Sequence, residues 1–184
     1  MSRVFVITGP SGVGKGTLIR LLRERVPELA LSVSATTRAP RPGEEDGVDY
    51  HFLTDDAFAR KVDAGEFVES AEYSGRRYGT LRSELERHLE AGRPVVLEIE
   101  VQGARQVREA MPEAVQIFIE PPDSDALKDR LVGRGTDDAE EVARRLAVAE
   151  SELGAAGEFH HRVVNDRLDE AVARLVDIVT TAGF

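Results

Sequence analysis

The chain has 184 residues, of which 41% are hydrophobic and 32% are charged, and this balance is typical of one compact folded domain. It contains no cysteine, which excludes disulfides, thiolate metal sites and cysteine nucleophiles, and its formal net charge of −10 argues against non-specific binding to nucleic acid. No stretch reaches the roughly 20 apolar residues that span a bilayer, and no cleavable leader follows Met1, so we expect a cytoplasmic protein without membrane partners.

The first predicted elements are a strand, a glycine-rich loop and a helix. Val4–Ile7 is a short apolar run that is soon followed by glycine, which is typical of a strand buried on both faces of a parallel sheet. Leucine and valine then recur at helical spacing over Leu18–Val26, and Pro27 predicts the end of that helix. The segment between them, Gly9–Lys15, therefore has the context of a phosphate-binding loop.

The chemistry of this loop predicts an ATP site rather than a simple glycine-rich turn. Its glycines allow backbone N–H groups to converge on phosphate oxygens, and Lys15 would reach the β- and γ-phosphates. Gly16 stands where the general pattern has Ser or Thr for magnesium, so Thr17 is expected to take that role, directly or through a water. The residues assigned to ATP here are Gly9, Pro10, Ser11, Gly12, Val13, Gly14, Lys15, Gly16 and Thr17.

The remaining segments predict an α/β fold with a parallel sheet flanked by helices. Residues 34–91 hold all three tyrosines and several turn signals, and they predict an insert of short strands and helices. Further strands are predicted at Val95–Ile99, Val115–Ile119 and, more weakly, Arg162–Val164. Residues 121–157 predict a charged helical excursion, and the pattern over Leu168–Val179 predicts an amphipathic closing helix.

Two carboxylates follow the apolar run that begins at Val95. Glu98 and Glu100 occupy alternate positions, which would place them on one face of a strand. A carboxylate at a strand end beside a phosphate-binding loop can orient hydrated magnesium. Because carboxylates at strand ends are common, this interpretation depends on the neighbouring loop.

Two segments, Ser34–Glu44 and Gly47–Phe52, closely resemble the guanylate kinase family, and the resemblance extends over nearly the whole chain. Other segments that carry it are Phe67–Glu69, Tyr78–Thr80, Gln102–Gly103, Arg130–Thr136 and Val164–Asp166. The resemblance implies a P-loop NTPase fold in a single domain over residues 1–184, with ATP-dependent phosphorylation of GMP, and of dGMP, and with Mg²⁺ as cofactor. Its implied parts are a core (1–33, 92–121 and 158–184), a GMP-binding insert (about 34–91) and a lid (about 122–157).

The resemblance also assigns residues to the acceptor, GMP. It implies that the GMP phosphate is held by Arg38, Arg41, Tyr50 and Tyr78. It implies that guanine is read by Ser34, Glu69 and Thr80, with Glu98 also in the GMP site. A carboxylate can accept hydrogen bonds from N1–H and the exocyclic amine of guanine, whereas adenine has no proton on N1. Guanine is therefore the expected base.

For phosphoryl transfer, the resemblance implies an arginine-rich lid. The lid arginines are Arg130, Arg134 and Arg145, which together with Lys15, Arg38 and Arg41 form the implied catalytic set. Asn165 matches a residue near the ATP base, and Thr17 and Glu100 match the metal position, directly or through water. Glu98 and Glu100 stand where aspartate is commoner in the family. The four histidines, at positions 51, 88, 160 and 161, lack metal-ligand spacing and are predicted to be structural or surface residues.

Two other functions remain open from the sequence. A non-catalytic module of the same fold would bind phosphorylated or acidic peptides, but such modules typically lose the glycines or the lysine that Gly9–Lys15 retains. Another small-molecule kinase, for adenylate or thymidylate, would keep this loop but lack Glu69 and the Ser34–Arg41 segment. The partners expected are ATP and GMP, and the oligomeric state is not indicated.

Overall fold

The computed structural model describes residues 3–132 and 139–183, in which strands and helices alternate along the chain. The strands are β1 (Val4–Thr8), β2 (Ala30–Leu31), β3 (Ala35–Thr36), β4 (His51–Phe52), β5 (Phe67–Tyr73), β6 (Arg76–Leu81), β7 (Val95–Glu98), β8 (Val115–Glu120) and β9 (His161–Val164). The helices are α1 (Lys15–Arg25), α2 (Asp55–Asp63), α3 (Arg82–Glu90), α4 (Val101–Ala110), α5 (Ser124–Val132), α6 (Ala139–Gly154) and α7 (Leu168–Gly183), with a 3₁₀ turn at Ala156–Glu158. Within the described ranges, none of the helices has the length and apolar character needed to cross a membrane.

A parallel sheet forms the centre of the molecule. Among the described residues it has five strands in the order β2-β7-β1-β8-β9, so β1 is the middle strand. Phe5 and Ile7 of β1 pack on one face with α1 and α7, and Val4 and Val6 pack on the other face with α4. This arrangement confirms the predicted α/β fold with a parallel sheet flanked by helices.

A second, smaller sheet is built from the segment between β2 and β7. Its strand order is β4-β3-β6-β5, with antiparallel pairing of β3 with β6 and of β6 with β5. It has its own small apolar cluster, in which the rings of Phe58 and Phe67 are stacked with centroids 4.5 Å apart. This cluster packs α2 against the sheet and gives the segment a fixed shape.

The strand that carries the two predicted carboxylates ends earlier than expected. β7 ends at Glu98, and Glu100 is the N-cap residue of α4, whose first backbone hydrogen bond runs from the Ala104 N–H to the Glu100 carbonyl at 2.9 Å. Between them, the Ile99 N–H still donates to the Ile7 carbonyl of β1 at 3.3 Å. The two carboxylates therefore lie on a strand end and on a helix start, instead of on one face of one strand.

Candidate active site

A cavity lies where the loop after β1 faces the second sheet. It has a volume of about 590 Å³ and collects residues from distant parts of the chain. Sequence-predicted residues that line it are Ser11, Gly12, Gly14, Lys15, Gly16, Thr17, Ser34, Arg41, Tyr50, Glu69, Tyr78, Glu98 and Glu100. Predicted ATP, GMP and metal residues thus share one cavity.

The glycine-rich loop is fixed by close contacts that only glycine permits. A Cβ atom on Gly9 would lie 2.5 Å from the Ile119 carbonyl oxygen of β8. Gly14, the N-cap residue of α1, has φ of +98°, and a Cβ there would lie 2.8 Å from Nδ2 of Asn165. That same Nδ2 donates to the Val13 carbonyl at 2.8 Å. The loop is therefore held against β8 and Asn165, with its other side open to the cavity.

The Lys15 ammonium group is the positive charge of this loop. Its Nζ donates to the carbonyl oxygens of Gly9 and, at 3.4 Å, Pro10. Across the cavity, enclosure by the walls raises the pKa of Glu98, and the charge of Lys15 opposes that rise. The ammonium group is thus close enough to act on a charged group in the cavity.

The predicted metal residues supply only oxygen atoms. Thr17 on α1 and Glu100 at the start of α4 both line the cavity. Gly16, which precedes Thr17, also lines the cavity, and a Cβ atom at that position would meet nothing within 4 Å. Space therefore does not require glycine at position 16.

Helix α6 brings two further side chains to the loop, one of which the sequence analysis missed. Nη2 of Arg145 donates to Oγ of Ser11 at 3.3 Å. Glu152 lies two turns later on α6. Burial, and then contact with the Glu100 carboxyl group, raise the pKa of Glu152, whereas a hydrogen bond that it accepts from the Ser11 backbone N–H lowers that pKa. The seven-residue spacing of Arg145 and Glu152 places both on one helix face and was the available signal.

Two lid arginines lie wholly or partly outside the described residues. Arg130 falls within α5, but the described structure does not include its side chain, and Arg134 lies outside the described residues altogether. The packing of α5 against α6 is described, with Leu127 and Ala149 buried between the two helices. The structure therefore places Arg145 at the loop and leaves the other two arginines as predictions.

The predicted phosphate-binding residues of the acceptor form two groups. Arg41, Tyr50 and Tyr78 line the cavity, and the rings of the two tyrosines lie edge to face, 6.2 Å apart. Arg38 instead makes a bidentate ion pair with Glu44, at 3.0 and 2.9 Å, with its guanidinium carbon 5.2 Å from the Tyr50 ring centroid. Glu44 also accepts a hydrogen bond from the Arg41 backbone N–H at 2.7 Å, so it organises both arginines.

Glu69 is a buried carboxyl group in the wall of the cavity. It is only 4% exposed, and its Oε1 accepts a hydrogen bond from the Thr80 hydroxyl group at 2.7 Å. A register shift in β5 between Phe67 and Glu69 sets the direction of the side chain. Burial raises the pKa of Glu69 to about 7, against the opposing hydrogen bonds from Thr80. The carboxyl group is thus placed at a high desolvation cost, as is common at functional sites.

Three of the four histidines make polar contacts within the fold. Nε2 of His88 lies 3.2 Å from Oε1 of Glu84, and Nε2 of His51 lies 3.5 Å from Oε2 of the same residue. The N–H of Gln116 donates to Nδ1 of His160 at 3.1 Å. In the part of the chain that the structure describes, no group of three or more His, Asp or Glu side chains could hold a metal ion by itself.

Comparisons with known proteins agree with this geometry. The family model described as guanylate kinase matches residues 1–182. The chain is 56% identical over 174 residues to a guanylate kinase of Frankia casuarinae, and the match covers 95% of each chain. It is 51% identical over 177 residues to a guanylate kinase of Synechocystis, and that match covers 96% of this chain and 93% of the relative. The crystal structure of guanylate kinase from Anaplasma phagocytophilum superposes with a TM-score of 0.80 at 32% identity, covering 100% of this chain and 87% of that one.

The raised pKa of Glu69 predicts a pH-dependent cost in stability. A carboxyl group whose pKa is higher in the folded than in the unfolded chain destabilises the fold as pH rises from 4.5 to 7, after which the loss is constant. Glu69→Gln removes this titration. The difference between the free energies of unfolding of the variant and of the wild type should therefore shift in favour of the variant by about 2 kcal/mol between pH 5.5 and pH 8. Urea unfolding at the two pH values measures this difference. A gap that stays constant with pH would contradict the assignment.

Proposed function

The chain belongs to the guanylate kinase family, and we propose that it transfers the γ-phosphoryl group of ATP to GMP, forming ADP and GDP. The observation that carries this proposal is that one cavity is lined both by the Lys15 loop and by Glu69. A phosphate-binding loop alone would suit many nucleotide enzymes. A buried carboxyl group paired with the Thr80 hydroxyl group in the same cavity supports guanine as the acceptor base.

On the donor side, we assign the triphosphate of ATP to the Gly9–Thr17 segment. Backbone N–H groups at a helix N-terminus such as the start of α1 suit phosphate oxygens, and Lys15 can exchange the carbonyl oxygens of Gly9 and Pro10 for phosphate. Asn165, which donates to the carbonyl of Val13, supports this loop from behind. Its predicted position near the ATP base stays a proposal.

The oxygen donors near the loop fit Mg²⁺. Thr17 and Glu100 would hold it, directly or through water, and Mg²⁺ commonly keeps several waters and binds substrate phosphates instead of being held by a full protein cage. When bound with ATP, Mg²⁺ supplies neutralisation of the phosphate charge.

On the acceptor side, we assign the GMP phosphate to Arg38 and to three residues that line the cavity, Arg41, Tyr50 and Tyr78. A dianionic phosphate would compete with the Glu44 carboxylate for the guanidinium group of Arg38. Glu98, which also lines the cavity, is assigned to the GMP side. None of these assignments requires the ribose 2′-hydroxyl group, so we expect dGMP to be accepted too.

For the base, we assign the readout to Glu69, Thr80 and Ser34. The ionised Glu69 carboxylate can accept from N1–H and the exocyclic amine of guanine, and a hydroxyl group can donate to O6. Adenine presents an acceptor at N1 and an amine in place of O6, so it would leave these groups unpaired. Buried groups left unpaired are the stronger source of discrimination.

The reaction needs positioning and charge stabilisation more than acid–base chemistry. The phosphate of GMP is itself an anionic nucleophile, so direct in-line transfer requires no side chain to act as a strong base. We propose that Arg145, which reaches Ser11, is joined in the closed complex by Arg130 and Arg134, and that they stabilise the transferring group and exclude water. The division into core, insert and lid, and the cytoplasmic location, stay predictions.

The non-catalytic alternative is disfavoured by the intact loop. A peptide-binding module would need neither Lys15 nor the close contact of Gly9 with β8, yet both are present. A coupled assay of ADP release with GMP, dGMP, AMP, CMP and UMP as acceptors separates the proposed function from this alternative and from other nucleotide kinases. GMP-dependent ADP release is the expected result.

Replacement of the loop lysine should remove activity without unfolding the protein. Lys15→Ala deletes the charge that would contact the phosphates, whereas the hydrogen bonds of this side chain within the described residues go to carbonyl oxygens of its own loop. We expect kcat to fall by roughly a hundredfold or more. Lys61→Ala, which removes a surface ion pair with Glu66, is the control and should keep normal turnover. Near-normal GMP phosphorylation by folded Lys15→Ala protein would refute the loop assignment.

Loss of a base contact and loss of a phosphate contact should have different effects on the kinetics with GMP and AMP as acceptors. A hydrogen bond to a charged group is worth about 1.5–3 kcal/mol, so Glu69→Ala should raise KM for GMP by roughly ten- to a hundredfold and barely change KM for ATP. Arg41→Ala should weaken GMP and AMP alike, because a phosphate contact carries no base information. The measurement is kcat/KM for both acceptors in both variants. An equal loss for GMP and AMP in Glu69→Ala would show that Glu69 does not read the base.

The pKa of Glu69 also predicts a pH dependence of GMP binding. With a pKa of about 7, only about a tenth of the Glu69 side chains are ionised at pH 6 and about nine tenths at pH 8, and the ionised form is the double acceptor. KM for GMP should therefore fall by up to about tenfold over this range. Glu69→Gln is the control, since it keeps the titration of the GMP phosphate and removes that of Glu69. Identical pH profiles in the two proteins would be evidence against a base-reading carboxylate.

A further inference from the structure

Helix α4 contacts the Glu69 carboxyl group from the side opposite to Thr80. The point of contact is Gly103, in the first turn of α4, where a Cβ atom would lie only 2.4 Å from Oε2 and 3.0 Å from Cδ of Glu69. An ordinary van der Waals contact begins at 3.4 Å, so any side chain at position 103 requires a displacement of about 1 Å. Glycine here leaves the space that the carboxyl group occupies.

A second contact fixes the distance between α4 and the strand that carries Glu69. Gln106, one turn after Gly103, donates from Nε2 to the Ser70 carbonyl at 2.8 Å and accepts from the Ser70 N–H with Oε1 at 3.0 Å. These two hydrogen bonds hold the backbone of β5 next to Glu69 against the helix. A clash at position 103 therefore cannot be relieved by separating the two elements without breaking this pair.

The remaining way to relieve such a clash is to move the carboxyl group itself. Its Oε1 is held by the Thr80 hydroxyl group at 2.7 Å, and β6, which carries Thr80, is paired with β5. A side chain at position 103 would thus push Oε2 away from α4 and rotate the group out of its present plane. Misplacement of a binding group by about 1 Å can cost as much as a hundredfold in efficiency.

From these contacts we propose that Gly103 is a specificity-determining position and Gln106 a positioning residue for guanine recognition. The proposal rests on the proposed function. Gly103 supplies the space in which Glu69 lies, and Gln106 fixes the strand from which it extends. Neither is assigned a contact with the nucleotide, and both act by setting where the base-reading carboxylate sits.

The test is a double-mutant cycle between positions 103 and 69. Gly103→Ala should raise KM for GMP by roughly ten- to a hundredfold and leave KM for ATP unchanged. Glu69→Asp shortens the side chain by one methylene group, which withdraws the carboxylate from the added Cβ atom. In the Glu69→Asp background, Gly103→Ala should therefore change KM for GMP by less than about threefold. An equal factor in both backgrounds, or an equal rise in KM for ATP, would overturn the proposal.

Two further variants complete the experiment. Gly154→Ala is the matched control, since a Cβ atom on this helix glycine would meet nothing within 4 Å, and its kinetics should be unchanged. Gln106→Leu breaks both hydrogen bonds to Ser70 without adding bulk at position 103, and it should raise KM for GMP selectively. Unaltered GMP kinetics in Gln106→Leu would overturn the role of the strand contact.

Folding outcomes are also informative. If Gly103→Ala fails to fold, the clash predicts that adding Glu69→Asp restores folding, and a double variant that stays unfolded would count against the proposal. Wild-type protein without GMP-dependent ADP release would refute the proposed function and this inference with it. Wild-type activity combined with normal GMP kinetics in Gly103→Ala would refute this inference alone.

Discussion

The parallel pairing of β1 with β7 is the constraint on which the site depends. Because the carboxyl ends of parallel strands meet at one edge of the sheet, the pairing of Ile7 with Glu98 sets the loop after β1 beside the carboxylates after β7. On the other side of β1, the close approach of Gly9 to β8 fixes the position of the loop relative to that strand. Backbone hydrogen bonds of the sheet thus bring the loop, Lys15 and the carboxylates to the same edge.

Much of this arrangement could be predicted from the sequence. The buried strand at Val4, the glycine-rich loop and Lys15 form a local pattern, and the backbone conformation follows from residue types that are close in sequence. The residues from 34 to 91 are different, because their pairing across β3 and β6 joins residues some 40 positions apart. There the resemblance to a family, and not periodicity, identified Glu69 and Thr80 as one site.

Other features could not be predicted because they depend on distances between elements. Gly103 looks like an ordinary small residue in a helix until the position of Glu69 is known, and Glu152 looks like a surface charge until α6 is placed on the loop. The ion pair of Arg38 with Glu44 likewise separates two arginines that the sequence pattern treats as equivalent. A pattern of residue types records which groups are present, but not which of them compete for one partner.

The cavity of a protein with a net charge of −10 must still accept two polyanions, and its carboxyl groups explain how. Burial raises the pKa values of Glu69 and Glu152, so each holds its proton to a higher pH than a free carboxyl group does and adds less negative charge to the cavity. The same desolvation that makes these groups costly to ionise strengthens any hydrogen bond that a ligand donates to them, because little water competes.

For Glu69, desolvation of the carboxyl group bears on which base the cavity accepts. If Glu69 reads the base as we propose, a guanine that donates two hydrogen bonds compensates for the cost of ionising the buried carboxyl group. An adenine, which cannot donate from N1, does not compensate for that cost. Under the proposed assignment of Glu69, base selection follows from where the fold places this carboxylate, and β5, β6 and α4 set that placement.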